Sequence, residues 1–300
     1  MAGRTPLPRA DHLALALTPP TGPPRPPRGP RGAGSPRAPA RTALNAVGAD
    51  IPDDDPAGSG SAAAETGTAA RAGTGVTESD GPPLRLGTGA SIYRVSDGSC
   101  SPDLDPDCPY VPPALVGDGH LTLDGETGYA AADGPVVDTA DSFTLGVVVR
   151  LADAEPAHPM TALSQAGEHT DAFRVRYEPS THAWQLVMPE KDEAGAPERV
   201  VSQIEAADGG EGQGHRLAVV YDDATDTIKL YLDGVTNAQA TATLPDGWHS
   251  AGALQVGRAK AGDGWGEYLH GDVDEVQAYS GAFRDQDIPF LGLGTDYCPC

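Results

Sequence analysis

Four aspartates, Asp124, Asp263, Asp272 and Asp274, fall at turns and near a strand end. Carboxylates so placed could gather several oxygens around a hard cation such as calcium. No EF-hand-like spacing accompanies them, and the plainer use of Asp124 and Asp274 is to accept backbone hydrogen bonds. A second group lies in AGDGWGEYLH (261–270), where Trp265, Glu267 and Tyr268 stand on a glycine-rich loop, with Trp248 on another. Aromatic rings supply flat apolar surface and acids supply hydrogen bonds, which is the chemistry of glycan binding. Trp265, between glycines, is the first candidate contact, and capping a sandwich edge is its other ordinary use. Trp184 alternates with Leu186 and Met188 and reads as core.

Other chemistries find little support. Ser142, Ser164 and Ser202 lack a nucleophile-elbow pattern, and the eight histidines are scattered. No phosphate-cradling glycine loop precedes a helix. Cys100, Cys108, Cys298 and Cys300 flank the strand-rich body on both sides, which suits disulfides on loose ends in an oxidising compartment. Their spacing fits no common zinc site. Cys298 and Cys300 are poorly placed to close on each other. Either Cys100 pairs with Cys108, or the two flanks are bridged.

The elements that must position these residues are strands. HRLAVVYDDATDTIKLYLDG (215–234) alternates Leu217, Val219 and Tyr221, then Ile228, Leu230 and Leu232, around an acidic turn. That pattern predicts an antiparallel hairpin with one apolar face. Phe143, Leu145, Val147, Val149 and Leu151 repeat it. Further strands are predicted at 84–95, 120–123, 129–132, 160–165, 172–178, 183–188, 199–204, 236–244, 253–257 and 268–279. Turn residues interrupt the chain about every ten residues, and no helical period is sustained, so the fold class is all-β, a two-sheet antiparallel sandwich. In GDVDEVQAY (271–279) the alternation breaks, so an acid points inward or a bulge shifts the phase. Pro289 limits the one helical turn, within 281–291.

Just over half of the 29 prolines lie before Leu84, among very few large apolar residues. Residues 1–83 are therefore expected to be disordered. The rest divides into a cysteine-containing flank (84–116), one domain (117–294) and a cysteine-containing tail (295–300). The formal net charge is −23 although the first forty residues are rich in arginine. The acidic body repels phosphate backbones, which argues against nucleic acid as its partner. No apolar run reaches membrane-span length. Leu13 to Leu17 is short for a signal-peptide core, so export is not established by it.

In their order, LDGETGY (123–129), VVDTADSFTLGVVVRL (136–151), HRLAVVYD (215–222), IKLYLDG (228–234), LQVGRA (254–259) and GDVDEVQAYSGAFRDQDI (271–288) resemble a LamG-like jelly roll of the concanavalin A-like lectin/glucanase superfamily. The chain departs at Val148, where many members carry Trp. The resemblance implies a non-catalytic extracellular module that binds glycans or proteins, with calcium in some relatives. Glycoside hydrolases and adhesive domains share the fold and remain the alternatives. Laminarinase-type relatives carry two catalytic glutamates in a Glu-x-Asp-x-x-Glu pattern; here Asp272 and Gln277 occupy those positions, and an amide can serve neither role in a retaining mechanism.

Overall fold

The computed structural model describes residues 41–43, 84–94, 115–116, 119–207, 209–210, 212–244 and 246–291. The strands are β1 (Arg41–Ala43), β2 (Arg85–Leu86), β3 (Ala90–Arg94), β4 (Gly119–Asp124), β5 (Ala130–Ala131) and β6 (Phe143–Leu151). They continue with β7 (Met160–Ala166), β8 (Asp171–Glu178), β9 (Ala183–Pro189), β10 (Glu198–Ile204), β11 (His215–Asp222) and β12 (Thr227–Leu232). The last five are β13 (Thr241–Thr243), β14 (Leu254–Val256), β15 (Ala259–Ala261), β16 (Gly264–Gly266) and β17 (His270–Ser280).

Two antiparallel sheets form the sandwich. One runs β13-β12-β11-β6-β17-β4-β3, with β1 added on β17; the other runs β10-β9-β8-β7-β14-β5-β2. The β11–β12 hairpin pairs Leu217 with Leu232, Val219 with Leu230 and Tyr221 with Ile228, so the alternating apolar residues stack on one face. Its turn is built by Asp222, which accepts from the Ala224 amide at 3.0 Å and the Thr225 hydroxyl at 2.8 Å. Asp233 and Gly234, both at positive φ, close the following turn. The inward residues of β6 meet Phe173, Val175, Tyr177, Trp184, Leu186 and Met188 from the other sheet. Trp184 lies edge-on to Tyr177, with centroids 5.4 Å apart, as its alternation predicts.

The opposite side of β6 is buried too. Ala218, Val220, Tyr231 and Tyr279 on that face are covered by Ile288 and Leu291, with Phe283 packed alongside. A Cβ at Gly146 would come within 2.4 Å of Leu291, so this cover needs a glycine beneath it. The cover includes a short 3-10 turn, Ile288–Phe290, with Pro289 inside it.

The predicted first strand at 84–95 divides in two. Thr88 and Gly89 turn the chain, which puts β2 on the edge of one sheet and β3 on the edge of the other. The stretch 236–244 contributes only β13, because Asn237 caps a 3-10 turn at Ala238–Ala240. The glycine-rich loop at 261–270 holds a hairpin, β15–β16. In 271–279 the break in alternation is a bulge: register shifts between Asp274 and Gln277, and Glu275 has φ 48°. Beyond the bulge β1 pairs with Gln277–Tyr279, on a β17 edge whose first half is taken by β4. Apart from β1, the expectation for residues 1–83 lies outside the described residues, as do all four cysteines. Among the described residues no helix is long and apolar enough to cross a membrane.

Candidate functional site

The outward face of the seven-stranded sheet starts from the alternation of β8, which buries Phe173, Val175 and Tyr177 and turns Arg174 and Arg176 outward. Arg176 reaches Glu267 at 2.8 Å, Gln185 at 3.2 Å and Glu178 at 3.4 Å. Glu267 is further fixed by the Thr161 hydroxyl at 2.6 Å, and its carbonyl accepts from the Thr161 amide at 2.8 Å. Arg174 bonds Glu198 at 2.6 Å.

The β15–β16 hairpin is fastened to this face. The Ser164 hydroxyl donates to the Arg258 carbonyl at 3.0 Å, and the Lys260 amide donates to Asp171 Oδ2 at 2.9 Å. Gly262 at φ 59° and Asp263 make the turn, which sets Trp265 directly opposite Lys260. The Arg258 guanidinium sits 3.2 Å from the Tyr129 ring centroid and 4.0 Å from that of Trp265, so the cation lies against both rings. Gln255 accepts from Arg258 Nε at 2.9 Å and fixes its orientation. Trp265, held this way, is half-buried.

Asp171 is fully buried below the hairpin. Burial pushes its carboxyl up to about 7, against the Lys260 amide and the Arg174 charge, while Glu267 adds to the rise.

Of the four expected ligand contacts, Trp265 and Glu267 meet on this face. Tyr268 is half-buried on the segment that follows. Trp248 packs on the turn at Gly167, with its indole N–H donated to the Pro189 carbonyl at 3.0 Å, and is not part of the stack. Arg258, Tyr129, Arg176 and Asp171 are not among the residues that the sequence singles out. The turn pair Gly262-Asp263 within AKAGDGWG was the available hairpin signal, and a hairpin makes Arg258 its entry residue.

The four aspartates proposed for calcium do not converge. Asp124 accepts from the amides of Glu126, Thr127 and Gly128 and from the Thr127 hydroxyl, and these bonds hold its carboxyl well below the usual range. Asp263 is exposed in the hairpin turn. Asp272 meets Arg150 at 2.7 Å, His120 at 3.2 Å and Thr122 at 2.9 Å; burial works to raise its carboxyl, but these partners bring it below the ordinary value. Asp274 accepts from the amides of Val116 at 3.1 Å and Glu275 at 2.8 Å, and burial pushes it up to about 6. It thus accepts backbone hydrogen bonds, the plainer use, on a strand that neighbours β4. It also faces away from the sandwich interior, because the bulge sends Val273 and Val276 inward. Among the described residues no set of three His, Cys, Asp or Glu side chains is arranged to hold a metal. Asp124, Asp272 and Asp274, already engaged by amides, a hydroxyl or cations, do not fit calcium.

A comparison with curated protein sequences returns no match. Among solved structures, the botulinum neurotoxin type G receptor binding domain aligns at 9% identity with TM-score 0.47, over 71% of this chain and 46% of that one. Trypanosoma rangeli sialidase in complex with sialic acid aligns at 18% identity with TM-score 0.43, over 59% of this chain and 28% of that one. The Ruminococcus gnavus IT-sialidase CBM40 aligns at 12% identity with TM-score 0.42, over 51% of this chain and 84% of that one. The chain thus spans less than half the length of the first two. The family model Laminin_G_3 matches residues 124–289, from the turn that ends β4 to the segment covering β11. With more than half its length in that match, the chain belongs to the concanavalin A-like lectin/glucanases superfamily.

Proposed function

We propose that this domain is a non-catalytic binding module acting outside the cell, with a glycan or a protein seated on the hairpin-crossed face of the seven-stranded sheet. The observation that carries the reading is the Tyr129–Arg258–Trp265 stack, which holds a half-buried indole in place two residues before Glu267, the partner of Arg176. A ring fixed before the ligand arrives loses little freedom on binding, and adjacent charged groups supply directional hydrogen bonds. A hydrolytic reading finds less support. At the positions that matter, the Asp272 carboxylate is engaged by Arg150 and His120, and residue 277 is an amide.

The test is an immobilised-glycan and protein-ligand screen of the full chain, run with calcium and with chelator, on wild type and Trp265→Ala. A ligand found for wild type should bind Trp265→Ala weaker by on the order of tenfold, with the β-type far-UV spectrum unchanged. Equal binding by both proteins would remove this face as the site.

A further inference from the structure

Asp171 opens β8 with its side chain closed to solvent, yet only one of its oxygens is used: Oδ2 takes the Lys260 amide, while Oδ1 has no hydrogen-bond partner. The nearby Ser164 hydroxyl works to favour the anion, but its hydrogen bond goes to the Arg258 carbonyl, and no donor reaches Oδ1. The neutral acid puts no charge in this closed site, and its Oδ2 can still accept from Lys260. The ionised form leaves one oxygen of a buried charge without a donor, which is costly.

We propose that Asp171 is a proton-operated clamp on the hairpin that carries Trp265: as a neutral acid it holds β15 against the sheet, and as a carboxylate it loosens it. The charged groups around it are few. Arg174, on the same strand, favours the anion, but one of its nitrogens is drawn to Glu198 and its Nε is buried without a partner. Glu267, beyond β16, disfavours the anion. From β15 itself Lys260 turns its ammonium to the Glu168 carbonyl. In the turn before β8, the amides of Glu168, His169 and Thr170 are taken by Asp192. Asp171 titrates near 7 when the hairpin is closed and near 3.9 when it is open to water. The closed form thus keeps a proton that the open form loses. The contribution to closure is complete below about pH 4 and is lost as pH rises through 7.

This regulation rests on the binding reading for its consequence at Trp265, but its test uses no ligand. In the full chain, the Asp171 carboxyl carbon is followed by NMR titration and the Lys260 amide by hydrogen exchange, corrected for intrinsic base catalysis. The carboxyl should titrate near pH 7, and the opening constant at Lys260 should rise on the order of tenfold from pH 6 to pH 8. Asp171→Asn offers an oxygen to Lys260 without titrating, so it should flatten that rise. A wild-type carboxyl that titrates near 4, or an equal rise in both proteins, overturns the proposal. Should Asp171→Asn fail to fold, the wild-type titration alone decides. Because neither readout involves a ligand, a failed Trp265→Ala screen would leave this result standing.

Discussion

Arg150 has no solvent exposure, and a guanidinium there is tolerable only because its nitrogens are met. Asp272 takes two of them, at 2.7 and 3.0 Å, and the Gly212 carbonyl takes another at 2.9 Å. Removing the acid leaves the cation buried without its counter-charge, and breaking such a pair costs about 3–5 kcal/mol. Asp274 supports only amides, so its loss strands backbone donors and should cost about 1–3 kcal/mol. We expect denaturant midpoints to fall in that order, Asp272→Ala well below Asp274→Ala, with unchanged m-values. Equal midpoints would mean that the Asp272–Arg150 pair matters no more than a turn acceptor.

The strand that carries these acids also carries a glycine with a structural task. Gly271 lies at φ 152°, and a Cβ there would stand 2.1 Å from the Arg150 carbonyl oxygen and 3.0 Å from Leu151 Cα. Backbone atoms in the interior of a sheet cannot step aside. Gly271→Ala should therefore destabilise the domain by about 2 kcal/mol or more in thermal or chemical denaturation; a neutral result would show that β17 can slide on β6. Gly271 opens the GDVDEVQAY segment quoted from the sequence, yet its reason needs the neighbouring strand to be seen. The same division holds across the elements. Alternation located β6, β8, β11 and β12 nearly to the residue, since a half-buried strand writes its own period into the chain. The bulge, too, left a visible mark in the switched parity of Val273 and Val276. What stayed hidden depends on contacts between distant segments. Arg258 meets Tyr129 across more than a hundred residues, and β2 and β3, read as one strand, belong to different sheets. Trp265 stands out in the sequence because its glycine neighbours give it no obvious core role, whereas an acid at a strand start, as Asp171 is, is commonplace.

At the scale of the molecule, the described residues that join the two sheets already form an extensive aliphatic and aromatic core. Reducing agent should therefore leave the β-type far-UV spectrum intact even if it lowers the melting temperature; loss of that spectrum would show that the flanks hold the sandwich together. The two ends of the described sandwich are built differently. β2 and β3 are outermost strands, each laddered to one partner, whereas β17 is enclosed, with β6 along one side and β4 then β1 along the other. Tension drawn through the chain ahead of β1 opens the three pairs that join it to β17 and then peels the outer strands β2 and β3, a few bonded pairs in succession. Tension drawn through the chain after β17 must shear ladders on both sides together. The domain is thus mechanically polar: it yields first where the chain enters and grips hardest where the chain leaves.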